Sequence, residues 1–302
     1  MIVGAPYGVH GWHEKVAVRL GRSLEENPID KERVFPYAVN EEAIAQGVRM
    51  VDENMAISLL NADPTSPIYE RRRAVETLGW IASGGFDLIL DFHTTPYKAD
   101  NYVGIGINTS NATIAAARFL GFENLLVGNF GLPHMVDNAI SVEMYGGKTE
   151  EEQQYTIATW RQKIKELLSY ESLDDLEQDF SPQGTTHIWS YQDVIYLKDA
   201  FATEEQLVGD YADGSFISIY AHDVPLLGID PVLPNGKRHT PFAVSCGGAF
   251  ERMGGVYGEY AFYVGTTEPK DMWRDVARAM SPNHDGWVTP EMIQPAAILA
   301  TQ

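Results

Sequence analysis

Apolar and polar positions alternate between two periods along the first 170 residues. Short apolar runs read as strands at Ile2–Pro6, Arg33–Val39, Val48–Val51, Asp87–His93, Val103–Ile107, Leu125–Phe130 and Ala139–Tyr145. Between them lie stretches of helical spacing. Glu14–Leu24 puts Val16, Ala17, Leu20 and Leu24 on one face, and Ile68–Ser83 is expected to turn Val75, Leu78 and Ala82 inward before Gly84-Gly85 ends it. Ala112–Leu120 is a short helix. Thr149 with Glu152 three residues on makes a capping box, and the helix it opens carries Ile157, Trp160, Ile164 and Leu167 on one stripe. Residues 61–67 form a loop by composition. Strand and helix in alternation predict an α/β fold with a largely parallel or mixed sheet covered on both faces.

The pattern changes near residue 170. Glu171–Gly184 is acidic and reads as a loop, which predicts a boundary between a first α/β domain, 1–183, and a smaller β-rich C-terminal domain, 184–302, expected to cap whatever site the first one carries. The second part has short runs at His187–Leu197, Phe216–Tyr220, Pro241–Val244 and Tyr260–Val264, a hairpin signal at Asn235-Gly236, and one helical piece at Met272–Met280.

Composition narrows the function classes. The formal net charge of −20 argues against a nucleic-acid groove and against anionic membranes, while leaving room for an anionic substrate in a local cationic pocket. No run of about 18 apolar residues is present, so no membrane span is expected, and the N-terminal residues do not read as a secretory signal. Cys246 is the single cysteine and reads as a small buried hydrophobe. With no intrachain disulfide to form, a cytoplasmic enzyme is the default, with a homo-oligomer left open.

The chemistry concentrates at two strand ends. His10, His13 and Glu14 follow the first strand within five residues, with Gly8 and Gly11 allowing close backbone approach. His93 ends a later strand, two residues after Asp91 and therefore on the same face. Strand ends on one edge of an α/β sheet converge. Ligands near residue 10 together with His93 would make a zinc site with one position open for water, and Asp91 could orient an imidazole. Glu143, in an apolar strand before Gly146-Gly147, is suited to act as a general base. Thr94 and Thr95 offer hydroxyls nearby.

Five segments in order resemble the aspartoacylase and succinylglutamate desuccinylase family, a branch of the zinc carboxypeptidase superfamily. His10-Gly11-Trp12-His13-Glu14 is similar to its His-Gly-x-Glu motif, and Asp91-Phe92-His93-Thr94-Thr95 to its Asp-Leu-His motif. Tyr69-Glu70-Arg71-Arg72-Arg73-Ala74 resembles its Tyr-Glu-x-Arg-Arg-Ala stretch. Ala139–Glu143 resembles its Gly-Ile-x-x-Glu strand, and Pro241–Val244 followed by Gly248-Ala249-Phe250 its C-terminal signature. The resemblance implies a zinc-carboxypeptidase-like mixed sheet flanked by helices, one Zn2+ per chain, metal ligands at His10 and His93, and a general base at Glu143. The second ligand falls on Glu14 after a one-residue insertion, or on His13 without one.

The resemblance also implies a deacylase that cleaves the amide of a small, carboxylate-bearing N-acyl amino acid or related compound. Arg49 is expected to help hold a carboxylate or polarise the carbonyl oxygen. The Asn-Arg pair that the family uses on its substrate is replaced by Ala56-Ile57, or by Asn54-Met55 in a second register, so that arginine is absent here. The family tyrosine of the C-terminal signature is replaced by Phe250. Substrate contacts are then expected from Arg49, Asn54 and Thr94. Two other functions fit the same metal site: a metallocarboxypeptidase acting on peptide or cell-wall fragments, and a zinc-binding member without turnover. Arg71, Arg72 and Arg73 read as a solvated helix face making surface pairs.

Overall fold

The computed structural model describes residues 1–95, 102–128, 131–146, 149–184 and 186–196, and the short strands 220–221, 224–225, 243–245 and 257–267. In chain order the elements begin with β1 (Val3–Tyr7), a 3₁₀ turn (Gly11–His13), α1 (Lys15–Glu26), β2 (Val34–Ala38), α2 (Glu41–Gln46), α3 (Met55–Leu60), α4 (Tyr69–Gly84) and β3 (Leu88–Thr95). They continue with β4 (Tyr102–Ile105), α5 (Asn111–Phe119), β5 (Asn124–Val127), α6 (Gly131–Met135), β6 (Ala139–Tyr145), α7 (Glu150–Leu167) and α8 (Leu173–Asp179). The last strands are β7 (Thr186–Tyr196), β8 (Tyr220–Ala221), β9 (Val224–Pro225), β10 (Ala243–Ser245) and β11 (Tyr257–Thr267).

The chain divides into two compact units. The first comprises Met1–Thr95, Val103–Phe122 and Asn129–Gln183. Its strands run in the order β4-β6-β3-β1-β2. All neighbours are parallel except β4, which is antiparallel to β6. Alternation along β3 feeds both faces of this sheet. Phe92 meets Trp160 of α7 edge-on, with ring centroids 5.3 Å apart. Ile89, on the opposite face, joins a core with Met55 and Leu59 of α3, Ala74 of α4 and Leu132 of α6. A sheet buried on both faces explains why these strands read as nearly continuous apolar runs.

The second unit comprises Pro96–Tyr102, Glu123–Gly128 and Gly184–Gln302. Among its described residues β5 pairs with β7 in parallel, β7 with β11 and β11 with β10 antiparallel, and β8 with β9 as a short antiparallel pair. The Asn235-Gly236 turn, the helical piece at Met272–Met280, Cys246 and Phe250 lie outside the described residues.

Several expectations need correction. Val48–Val51 is not a strand: α2 ends at Gly47, whose φ of 70° stops the helix, and the segment after it is held by bonds to other parts of the chain. Residues 171–184 are not all loop. Ser172 caps α8 by accepting the Asp175 N–H, and Leu173 and Leu176 are buried. A short helix with two apolar residues escapes a periodicity test built for longer ones. The fully buried residues of α4 are Glu70, Ala74 and Thr77; of the three expected to turn inward, Leu78 packs against the core, Val75 is half-buried and Ala82 is exposed. The stripe was hard to read because two of its three members are polar.

Candidate metal centre

The site begins with the turn after β1. Fully buried β1 lies between β2 and β3, with Tyr7 in register with Phe92. Gly8 and Gly11 both take positive φ, 70° and 56°, and fold the chain back before α1. A side chain at Gly11 would collide with the carbonyl oxygens of Val48 and Arg49, at 2.3 and 2.9 Å from an added Cβ. Only glycine lets the turn sit under that segment.

Glu14 is 2 % exposed and precedes α1, yet its carboxylate does not cap the helix. One oxygen, Oε2, accepts the His10 N–H at 3.1 Å. The other, Oε1, lies 2.7 Å from Nδ1 of His93. The His10 and His93 rings are 5.5 Å apart. Ligating atoms of His10, Glu14 and His93 all lie within 4.8 Å of one another.

Asp91 completes the arrangement around His93. Its Oδ2 lies 2.9 Å from Nε2, so one ring nitrogen faces Asp91 and the other faces Glu14. Burial lowers the basicity of the His93 imidazole, but the adjacent Asp91 and Glu14 carboxylates outweigh it and raise its pKa well above the ordinary histidine value. Both carboxylates favour the charged form of the ring. Were a cation held by His10, Glu14 and His93, Nε2–H would donate to Asp91, leaving Nδ1 free to ligate. The donor set, two imidazoles and one carboxylate with a second carboxylate behind, fits a divalent metal ion such as zinc.

Glu143 stands beside His93 in the parallel register of β3 and β6, on the same face, and is half-buried. Three strand ends, β1, β3 and β6, therefore bring His10, His93 and Glu143 to one sheet edge. Arg49 is half-buried in the segment whose Val48 carbonyl accepts the Trp12 N–H at 2.9 Å. The His13 side chain lies outside the described residues.

Two residues expected at the substrate are committed elsewhere. Asn54 caps α3, its Oδ1 accepting the Ala56 N–H at 2.9 Å. Thr94 is on the face opposite His93, and its Oγ1 accepts the Ala17 N–H at 2.9 Å in the first turn of α1. The three arginines of α4 are also engaged. Arg71 pairs with both oxygens of Glu53, at 2.9 and 2.8 Å. Arg72 donates to the Ser66 carbonyl, and Arg73 to the carbonyls of Ala38 and Val39. Glu70, which the sequence offers as one member of the Tyr69–Ala74 stretch with no role of its own, has a buried carboxylate that binds the 51–53 backbone. An acidic residue on the inward stripe of a helix was the available signal.

No family model and no curated protein sequence matches the chain. Solved structures do. Murine aminoacylase 3 superposes with a TM-score of 0.56 at 17 % identity, covering 88 % of this chain and 96 % of its own. Succinylglutamate desuccinylase from Chromobacterium violaceum gives 0.52 at 17 % identity, covering 86 % and 84 %. The desuccinylase from Vibrio cholerae gives 0.51 at 13 %, covering 88 % and 81 %. The chain thus has the zinc-carboxypeptidase-like α/β fold of aminoacylase 3 and the succinylglutamate desuccinylases.

Proposed function

We propose that this chain is a zinc-dependent amidohydrolase that deacylates a small N-acyl amino acid or a related carboxylate-bearing compound. The observation that carries the reading is the convergence of His10, Glu14 and His93, with Asp91 behind His93 and Glu143 beside it. The likeness in fold to proteins named aminoacylase and desuccinylase supports the choice of reaction.

In this reading His10, Glu14 and His93 hold the metal. A zinc ion held there would supply Lewis-acid chemistry, polarising the amide carbonyl and acidifying water. Glu143 takes a proton from water as its oxygen adds to the carbonyl carbon and the carbonyl oxygen becomes an oxyanion, then delivers that proton to the leaving nitrogen as the carbonyl re-forms and the C–N bond breaks. The products are a carboxylic acid and a free amine. Asp91 holds the His93 ring in one tautomer throughout. Arg49 binds the substrate carboxylate or stabilises the developing oxyanion. Asn54 and Thr94 are left out of the substrate contacts, since their side-chain oxygens already close helix starts.

The test is metal analysis of the purified protein together with a panel of N-acyl amino acids, followed by Glu143→Gln. The expected result is one zinc per chain, amine release from at least one compound, and a loss of about 10²–10⁴-fold in turnover in the variant with zinc retained. Full turnover in Glu143→Gln would remove the general base from this scheme. Stoichiometric zinc with no amine released from any compound would leave a binding protein.

A further inference from the structure

Glu70 is fully buried in the first turn of α4. Its carboxylate is not paired with a cation among the described bonds; it receives backbone N–H groups. Oε1 accepts from Val51 at 2.5 Å, and Oε2 from Asp52 at 3.0 Å and Glu53 at 3.1 Å. The Asn40 amide donates to Oε1 at 3.4 Å. Asp52 returns the bond, its Oδ2 accepting the Tyr69 N–H at 2.8 Å. Helix and segment therefore clasp each other from both sides. Successive N–H groups around one carboxylate form a nest, and a buried carboxylate is tolerated only where such donors meet it.

The same segment continues upstream to the candidate metal centre. Val48 donates to the Ala43 carbonyl and accepts the Trp12 N–H, both at 2.9 Å. The carbonyls of Val48 and Arg49 lie against Gly11 so closely that no side chain fits between. A displacement of residues 48–53 cannot leave the turn at 10–14 where it is.

We infer that Glu70 is a positioning residue for the metal centre: its buried carboxylate fixes the 48–53 segment, which in turn fixes the turn carrying His10 and Glu14 and places Arg49. The role rests on reading that turn as metal-ligating. It assigns the glutamate a job that helix packing does not require, since an apolar residue would fill the same inward position of α4.

The experiment compares wild type with Glu70→Gln, Glu70→Asp and Thr77→Ala. Thr77 is buried on the same stripe and, among the described residues, bonds within its helix to the Arg73 carbonyl, so it reports general destabilisation. Amide exchange is read residue by residue and normalised to β3. Exchange at Val51, Asp52 and Glu53 rises at least about tenfold in both Glu70 variants, and exchange at Trp12 rises with it. Zinc affinity, measured by competition with a chromophoric chelator, falls about 10–100-fold in the same variants. Thr77→Ala shifts neither relative to β3. Unchanged exchange at Trp12 while residues 51–53 accelerate would overturn the inference, as would wild-type zinc affinity in both Glu70 variants. If wild-type protein binds no zinc, the proposed function fails, and the exchange at Trp12 still decides whether Glu70 holds the turn.

Discussion

Nδ1 of His93 lies 2.7 Å from Oε1 of Glu14, although 79 positions separate them in the chain. Both are deeply placed, with side-chain exposures of 12 % and 3 %. A carboxylate and an imidazole held at this distance can close on one another through a proton or on a shared cation. His93→Ala is expected to abolish stoichiometric zinc, lowering affinity more than about a hundredfold, while circular dichroism stays that of the wild type. Zinc retained at one per chain in both His93→Ala and Glu14→Ala would place the ion elsewhere.

Asp91 touches His93 through Nε2, on the side away from Glu14. Asp91→Asn keeps the shape and removes the charge. It is expected to cost about 10–100-fold in zinc affinity, since the ring loses both its orientation and part of its basicity. Chelator competition measures this directly, and an unchanged affinity would leave Asp91 as a buried structural acid.

The raised pKa of His93 gives the metal-free protein a definite pH response. A folded value above the unfolded one means that the charged ring stabilises the fold fully below about pH 6.5, and that this contribution is lost as pH rises through the folded value. Metal-free protein should therefore lose stability on moving from mildly acidic to alkaline pH more than a His93→Gln variant does. Zinc bound through His93 Nδ1, as proposed, would displace that proton. Calorimetry in buffers of different ionisation enthalpy should register about one proton released per zinc in wild type.

Trp160 separates packing from metal chemistry. It is 6 % exposed, meets Phe92 edge-on and stacks on Phe122 with centroids 5.8 Å apart. Trp160→Ala is expected to lower unfolding free energy by about 3–5 kcal/mol in denaturant titration. Zinc stoichiometry in the folded fraction should stay at the wild-type value, because the tryptophan lies on the sheet face opposite His93.

The charge imbalance is itself testable. With 42 acidic against 22 basic residues, like-charge repulsion opposes the compact state. Raising sodium chloride from about 0.01 to 1 M shortens the screening length from about 30 to 3 Å and should raise Tm. A Tm that falls with salt would mean that specific ion pairs outweigh the net repulsion.

What the sequence by itself determined is local. The capping box at Thr149 and Glu152 and the buried stripe Ile157, Trp160, Ile164 and Leu167 stand as periodicity placed them, because a cap and a helical face are set by neighbours within four residues. The strands at β1, β3 and β6 were legible for the same reason, as was the identity of most residues with metal chemistry to offer. The tertiary structure decided what lies between elements. The parallel order β6-β3-β1 puts His10, His93 and Glu143 on one edge, and the fold turns the Glu14 carboxylate away from the helix it precedes and toward His93. It also gave Asn54 and Thr94 to helix starts, and made Glu70 the acceptor for a segment some 17 to 19 residues upstream. No periodicity encodes these pairings, since they depend on which strands hydrogen-bond and on which buried N–H groups need an acceptor once the chain has closed.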